Sequence, residues 1–166
     1  MAFDTDTDSG LGRLAQLTYA PLRAFAATVG SGEPDDLVQE AFVRFIQRPG
    51  GIVVANPLAY LRRIVMNLAI DEARRTRTRD STLRRVAVIE TIEPHYPSDI
   101  SALLALDPRS RALLYLTEIE GAPISEAAGI VGCSEASARM RLSRARRKLR
   151  ALIEEERDDV TSSNGT

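Results

Sequence analysis

From Ala138 onward, Leu142, Ala145, Leu149 and Leu152 follow at alternating spacings of four and three, and no acidic residue interrupts the run from Ala136 to Leu152. That period places all five apolar residues on one stripe of an α-helix, which has to pack against other protein. Roughly opposite lie Ala136, Met140, Ser143 and Arg147; Ser137, Arg144 and Lys148 flank the stripe on one side, and Arg139, Arg146 and Arg150 on the other. Like charge at this density costs stability in an isolated helix. The helix therefore belongs at the edge of a domain, with one face in a core and the other offered to water or to a polyanion.

A charge run is usually only a solvated face, so what precedes it matters. Ser134 stands where an N-cap belongs, with Glu135 in the first turn, and a side-chain oxygen there satisfies orphan amides. Before it come the tight turn Gly132-Cys133-Ser134 and a short helical segment from Pro123. Short helix, tight turn and arginine-rich helix together make a helix-turn-helix, whose second helix enters the DNA major groove. A phosphate backbone converts the repulsion among the arginines into attraction through counterion release, and guanidinium groups can bind guanine edges bidentately.

The rest of the chain also reads as helices. Leu11 to Val29 is one, with Leu14, Leu17, Leu22 and Phe25 on its apolar side and Gly30-Ser31-Gly32 ending it. Glu33-Pro34-Asp35-Asp36 opens a second, with acids in the first turn where the helix dipole favours them. Leu37, Val38, Ala41, Phe42 and Phe45 form its stripe, and Arg48-Pro49-Gly50-Gly51 stops it. Pro57 begins a long third helix with Asn56 as cap and Leu58, Leu61, Ile64, Val65 and Leu68 facing inward. Residues 78–98 show no clean period and contain Pro94 and Pro97, as a linker does. Asp107-Pro108 is a strong helix start, with Leu113, Leu116 and Ile119 expected inside. The expected fold is all-α: a helical domain over 10–77, a flexible linker over 78–98, a second helical domain over 99–156, and a disordered polar tail over 157–166.

Net charge is −1, but the charge is segregated. The first forty residues and the tail from Glu154 are acidic, while Arg62–Arg85 and Arg139–Arg150 are basic, which suggests two contact points on a polyanion. The single cysteine, Cys133, excludes an internal disulfide and reads as a small buried hydrophobe. With one histidine, His95, in the linker, the chain shows no metal-ligand cluster, phosphate loop or nucleophile–base pair. No catalytic residue, metal or cofactor is expected. No apolar run reaches membrane-spanning length and the N-terminus is acidic, so a cytoplasmic protein is expected, without membrane insertion.

Two blocks of this sequence, in order, resemble one family. Asp35–Ile46 (DDLVQEAFVRFI) and Asn56–Arg75 (NPLAYLRRIVMNLAIDEARR) look like region 2 of the extracytoplasmic-function group of bacterial sigma-70 factors, and Leu103–Arg150 looks like region 4 of the same group. The resemblance covers about three quarters of the chain. It departs from the family pattern at Tyr60, where a Trp is usual, and at Pro123, where Ser or Thr often opens the first helix of the helix-turn-helix. Gly129 inside that helix costs up to about 1 kcal/mol relative to Ala.

The resemblance implies a transcription initiation factor that binds core RNA polymerase and promoter DNA. Asp36, Gln39 and Glu40 would grip the clamp helices of the largest subunit. Asn56, Arg62, Arg63, Asn67, Arg74 and Arg75 would handle the −10 element, where a base is flipped from the non-template strand and a pocket with nearby positive charge is needed. For Arg74 and Arg75 a charged helix end complementing the dipole is the competing role. Glu135, Ser137, Arg139, Met140, Arg141, Ser143, Arg144 and Arg147 would meet the −35 element, with early residues on base edges and later arginines on phosphates. Arg141, toward the edge of the buried stripe, has a pairing role within the domain as its alternative. The helix from Asp107 would help dock the flap tip of the second-largest subunit, the linker would thread the polymerase cleft, and an anti-sigma factor would be a third partner. Two other readings stay open at this point: an operator-binding helix-turn-helix regulator that works without polymerase, and a sigma-like decoy for an anti-sigma factor.

Overall fold

The structure, a computed structural model, describes residues 8–30, 32–48, 54–83 and 102–163. Among these residues there is no strand, and no helix is long and apolar enough to cross a membrane. Three helices build the first unit: α1 (Asp8–Val29), α2 (Pro34–Ile46) and α3 (Pro57–Leu83). The second unit has α4 (Pro108–Leu114), which runs on through a π-helical turn at Tyr115–Ile119, then α5 (Ile124–Val131) and α6 (Glu135–Ser163).

Each helix of the first unit packs on the other two. Leu14, Leu22, Phe25 and Val29 from α1 meet Val38, Ala41 and Phe45 from α2 and Leu61, Val65 and Met66 from α3, all of them buried. Tyr60 performs an aromatic's packing role: its ring lies edge-on to Phe45 at 5.9 Å between centroids, and the Arg48 guanidinium covers it at 4.9 Å. Leu113 and Leu116 anchor the second core, with Ala127, Ile130 and Val131 from α5 and Ala138, Leu142 and Ala145 from α6.

The structure departs from the expected pattern in several places. Leu17 is 58% exposed rather than inside. Ile119 is 74% exposed, because the π-turn adds a residue to the helical circuit and takes it off the stripe of Leu113 and Leu116. The long third helix continues past its expected solvated end at Arg74–Arg79 to Leu83, and α6 continues into the residues expected as a tail, to Ser163. In neither stretch does a proline or glycine interrupt the backbone. The rest of the expected linker, with His95, lies outside the described residues.

The two units also pack on each other. Helices α1 and α3 contact α4, α3 contacts α5, and the buried residues of both units form one continuous cluster.

Candidate nucleic-acid interface

The turn between α5 and α6 is built as its residue types require. Gly132 adopts the left-handed conformation (φ 75°, ψ 47°) that a β-carbon disfavours. Its amide and that of Cys133 both donate to the Ala128 carbonyl, at 2.9 and 3.0 Å. Ser134 Oγ accepts the Ser137 amide at 3.2 Å, which caps α6. Pro123 precedes α5 with no side-chain cap bond, so that helix is held by burial of Ala127, Ala128, Ile130 and Val131.

Asp107 is a well-satisfied cap. Its carboxylate accepts the Arg109 and Ser110 amides at 3.1 and 3.2 Å and the Ser110 hydroxyl at 2.6 Å, and it faces Arg141 Nη1 at 3.3 Å. Partial burial pushes its pKa up, but the Ser110 and Arg109 donors and the Arg141 charge outweigh this and hold it below the ordinary 3.8. A depressed folded-state pKa means stability that is present above the unfolded value and lost as pH falls through the folded one. Asp107→Ala is expected to cost about 1–2 kcal/mol at pH 7. The gap to the native protein should narrow below about pH 4. Urea titrations at pH 7 and at pH 3 check this; a gap that is the same at both would overturn the assignment.

The arginines of α6 fall into two sets. Arg141 pairs with Asp107, Arg146 pairs with Glu118 of the π-turn, and Lys148 Nζ donates to the Ala105 carbonyl at 2.9 Å. These hold α6 against α4. Arg146 in turn holds the Glu118 carboxyl below the ordinary carboxylate range. For Arg141, then, the role within the domain is the one the structure displays. Arg144 and Arg147 are exposed and form no ion pair among the described residues. Ser137, Met140, Arg144 and Arg147 follow at helical spacing along the exposed face, with Met140 57% exposed. Ser143 is exposed, and Arg139 is tied to Glu135 at 3.1 Å one turn away. Arg144, Met140 and Ser137 border a depression that reaches Asp107 and Lys148 at the foot of α4. The exposed face thus combines two free cations, a hydroxyl and a soft apolar tip, which can serve phosphates, base edges and a thymine methyl respectively.

In the first unit, Asn56 Oδ1 accepts the Ala59 amide at 3.0 Å and caps α3. Arg63, Asn67, Arg74 and Arg75 are exposed along α3. Arg62, expected at the −10 element, is 6% exposed in this structure, and its Nη2 lies 2.5 Å from Glu120 Oε1 of the second unit. Its place on α3 points it at Phe25, where the guanidinium sits 5.7 Å from the ring centroid, and away from solvent. Asp36, Gln39 and Glu40 are exposed on α2, with Val43 and Ile46 exposed beside them (44% and 55%). Asp35 is held in place by Tyr19 and Arg23, whose hydrogen bonds keep its carboxyl below the ordinary range.

The sequence reading missed Arg111. It is 5% exposed and donates to the carbonyls of Leu104, Leu106 and Val29 at 3.2, 3.0 and 2.6 Å. Burial lowers its pKa. Its only sequence signal was its position one step before the apolar Ala112 and Leu113.

Comparison with known proteins agrees with the earlier resemblance. Residues 14–79 match the model for Sigma-70 region 2, and residues 100–149 match that for Sigma-70, region 4. The chain is 30% identical over 147 residues to the ECF RNA polymerase sigma factor SigC of Mycobacterium tuberculosis, covering 83% of this chain and 77% of that protein. Among solved structures it is similar to the sigma factor RpoE in complex with the anti-sigma factor NepR from Bartonella quintana, with a TM-score of 0.67 and 26% identity over 86% of this chain and 96% of that one. It is also similar to CnrH in complex with the cytosolic domain of CnrY, with a TM-score of 0.61 and 30% identity over 91% of this chain and 92% of that one.

Proposed function

Since the chain belongs to the extracytoplasmic-function group of the sigma-70 family, we propose that its two units divide the work of an alternative sigma factor between promoter elements and polymerase. The protein binds core RNA polymerase and directs transcription initiation. The second unit reads the −35 element through Ser137, Met140 and Ser143, with Glu135 and Arg139 at the start of the helix and Arg144 and Arg147 on phosphates. The first unit handles the −10 element through Asn56, Arg63, Asn67, Arg74 and Arg75. Asp36, Gln39 and Glu40, with the exposed Val43 and Ile46 beside them, form the surface for the clamp helices: a mixed acidic and apolar patch suits a basic helical partner. Helix α4 docks the flap tip.

The observation that carries this reading is the exposed, unpaired state of Arg144 and Arg147 on a helix where Arg141 and Arg146 are ion-paired and Lys148 is tied to a carbonyl within the domain. An anti-sigma factor is the further partner, on the strength of a structural relative captured with such a protein. The chain works in the cytoplasm, as a factor for polymerase and with no catalytic centre of its own.

The test is co-purification with bacterial core RNA polymerase, followed by transcription from a pool of genomic fragments. A stoichiometric complex that starts RNA at a shared two-element motif is expected. A folded protein that ignores core enzyme yet shifts duplex DNA alone would instead be an operator-binding regulator, and one that does neither would be a decoy.

A further inference from the structure

Met140 stands at the centre of the outward face of α6. Successive residues of an α-helix are turned by about 100°, which sets Met140 on the side away from the buried Ala138, Leu142 and Ala145. Its neighbours one turn away on that face are Ala136, Ser137, Ser143 and Arg144, all exposed. Three of these four are small, so the Met140 side chain, 57% exposed, rises above the surface around it.

On its N-terminal side the polar groups are engaged with each other. Glu135 and Arg139 pair at 3.1 Å, and the Ser134 hydroxyl donates to that of Ser137 at 3.0 Å. What the face offers at its centre is a thioether, which has no hydrogen-bond donor and is only a weak acceptor. It is also unbranched and adapts its shape to an apolar neighbour.

The DNA major groove is about 12 Å wide, close to the diameter of a helix with its side chains. A helix seated there turns the centre of its exposed face to the base edges and its flanks to the phosphates. The base edges present donors and acceptors at every pair, and one apolar group, the C5-methyl of thymine. Against a carbonyl or an amino group, a thioether displaces water and returns at best a weak bond. Against a methyl group, apolar surface leaves water on both sides.

We propose that Met140 sets one position of the −35 element by selecting a 5-methylpyrimidine there. This rests on the sigma reading and goes beyond it, because the feature selected is a single methyl group. Thymine carries that methyl by nature. A cytosine methylated at C5 presents it at the same ring position, so methylation of a cytosine at this step raises the affinity of the promoter that holds it.

The test uses holoenzyme assembled from core polymerase and the full chain, with the native protein, Met140→Ala and Met140→Leu. The DNA is the promoter recovered from the genomic pool. Each thymine of its −35 element, on either strand, is replaced in turn by uracil, which removes the methyl and leaves the pairing unchanged. At one position the native holoenzyme is expected to bind the uracil promoter about fourfold more weakly, the worth of one buried methyl group. Met140→Ala should bind the thymine and uracil promoters alike, and Met140→Leu, apolar and of similar volume, should restore the preference. At the same position 5-methylcytosine should bind more tightly than cytosine with the native protein and equally with Met140→Ala. Equal binding of thymine and uracil promoters by the native holoenzyme at every position would overturn the assignment. So would a preference that survives Met140→Ala, or an element without an A·T pair. Failure of the native chain to assemble with core or to select a promoter would sink the sigma reading and this role with it, whereas a selected promoter indifferent to uracil sinks the role of Met140 alone.

Discussion

Arg144→Glu is expected to leave the protein bound to core polymerase and to lower transcription from a two-element promoter by roughly 10–100-fold. Arg144 is exposed and has no ionic partner among the described residues, so reversing its charge breaks nothing inside the domain. The loss comes from one phosphate contact removed and one repulsion added, each of order 1 kcal/mol at moderate salt, where about 1.4 kcal/mol is a factor of ten. The salt dependence of promoter binding should become shallower by about one unit of slope, because one fewer counterion is released. Reversing Arg146 would not be so clean, since that residue holds Glu118 of the π-turn. Equal loss of core binding and promoter binding in Arg144→Glu would show that the two surfaces are not separate.

Phe45→Ala should produce the largest loss of stability among single substitutions in the first unit, about 3–5 kcal/mol. The ring is fully buried between α1, α2 and α3 and is the support on which Tyr60 rests edge-on. Removing it leaves a cavity in the centre of a three-helix packing and frees Tyr60, whose outer face then no longer holds Arg48. Typical domains have only about 5–15 kcal/mol in total, and 1 kcal/mol corresponds to about 2–4 °C at this size. A drop in melting temperature on the order of 10 °C is therefore expected, and a shift of only 1 or 2 °C would mean that the site collapses around the smaller side chain.

What was legible in the sequence was whatever depends on a residue and its near neighbours. The stripe of Ala138, Leu142 and Ala145 is buried because a helix repeats every 3.6 residues. Ser134, Asn56 and Asp107 cap helices because their side chains reach amides two or three residues on. What was not legible depends on distant neighbours. Arg62 looked like one more cation on a basic helix, yet its partner lies 58 positions away. Arg111 meets Val29 across 82 positions, and nothing local distinguishes a guanidinium that serves three carbonyls from one in solvent. The misplacement of Ile119 has a different cause: the period itself changes at Tyr115, and a pattern read at 3.6 residues per turn cannot foresee a wider turn.

That wider turn sets the aim of everything after it. At Tyr115–Ile119 the amide of Glu120 bonds to the Tyr115 carbonyl, and that of Ala122 to the Leu116 carbonyl, at 3.1 and 2.8 Å. One residue in an α-helix is worth about 100° of rotation. The single extra residue therefore works like a phase offset in a screw thread. It turns Ile119 out to solvent, swings Glu120 round to meet α3, and fixes the heading from which α5 and α6 depart. A deletion of one residue here would point the recognition helix in another direction relative to its neighbour. In this chain the heading of the recognition helix comes down to counting one residue correctly.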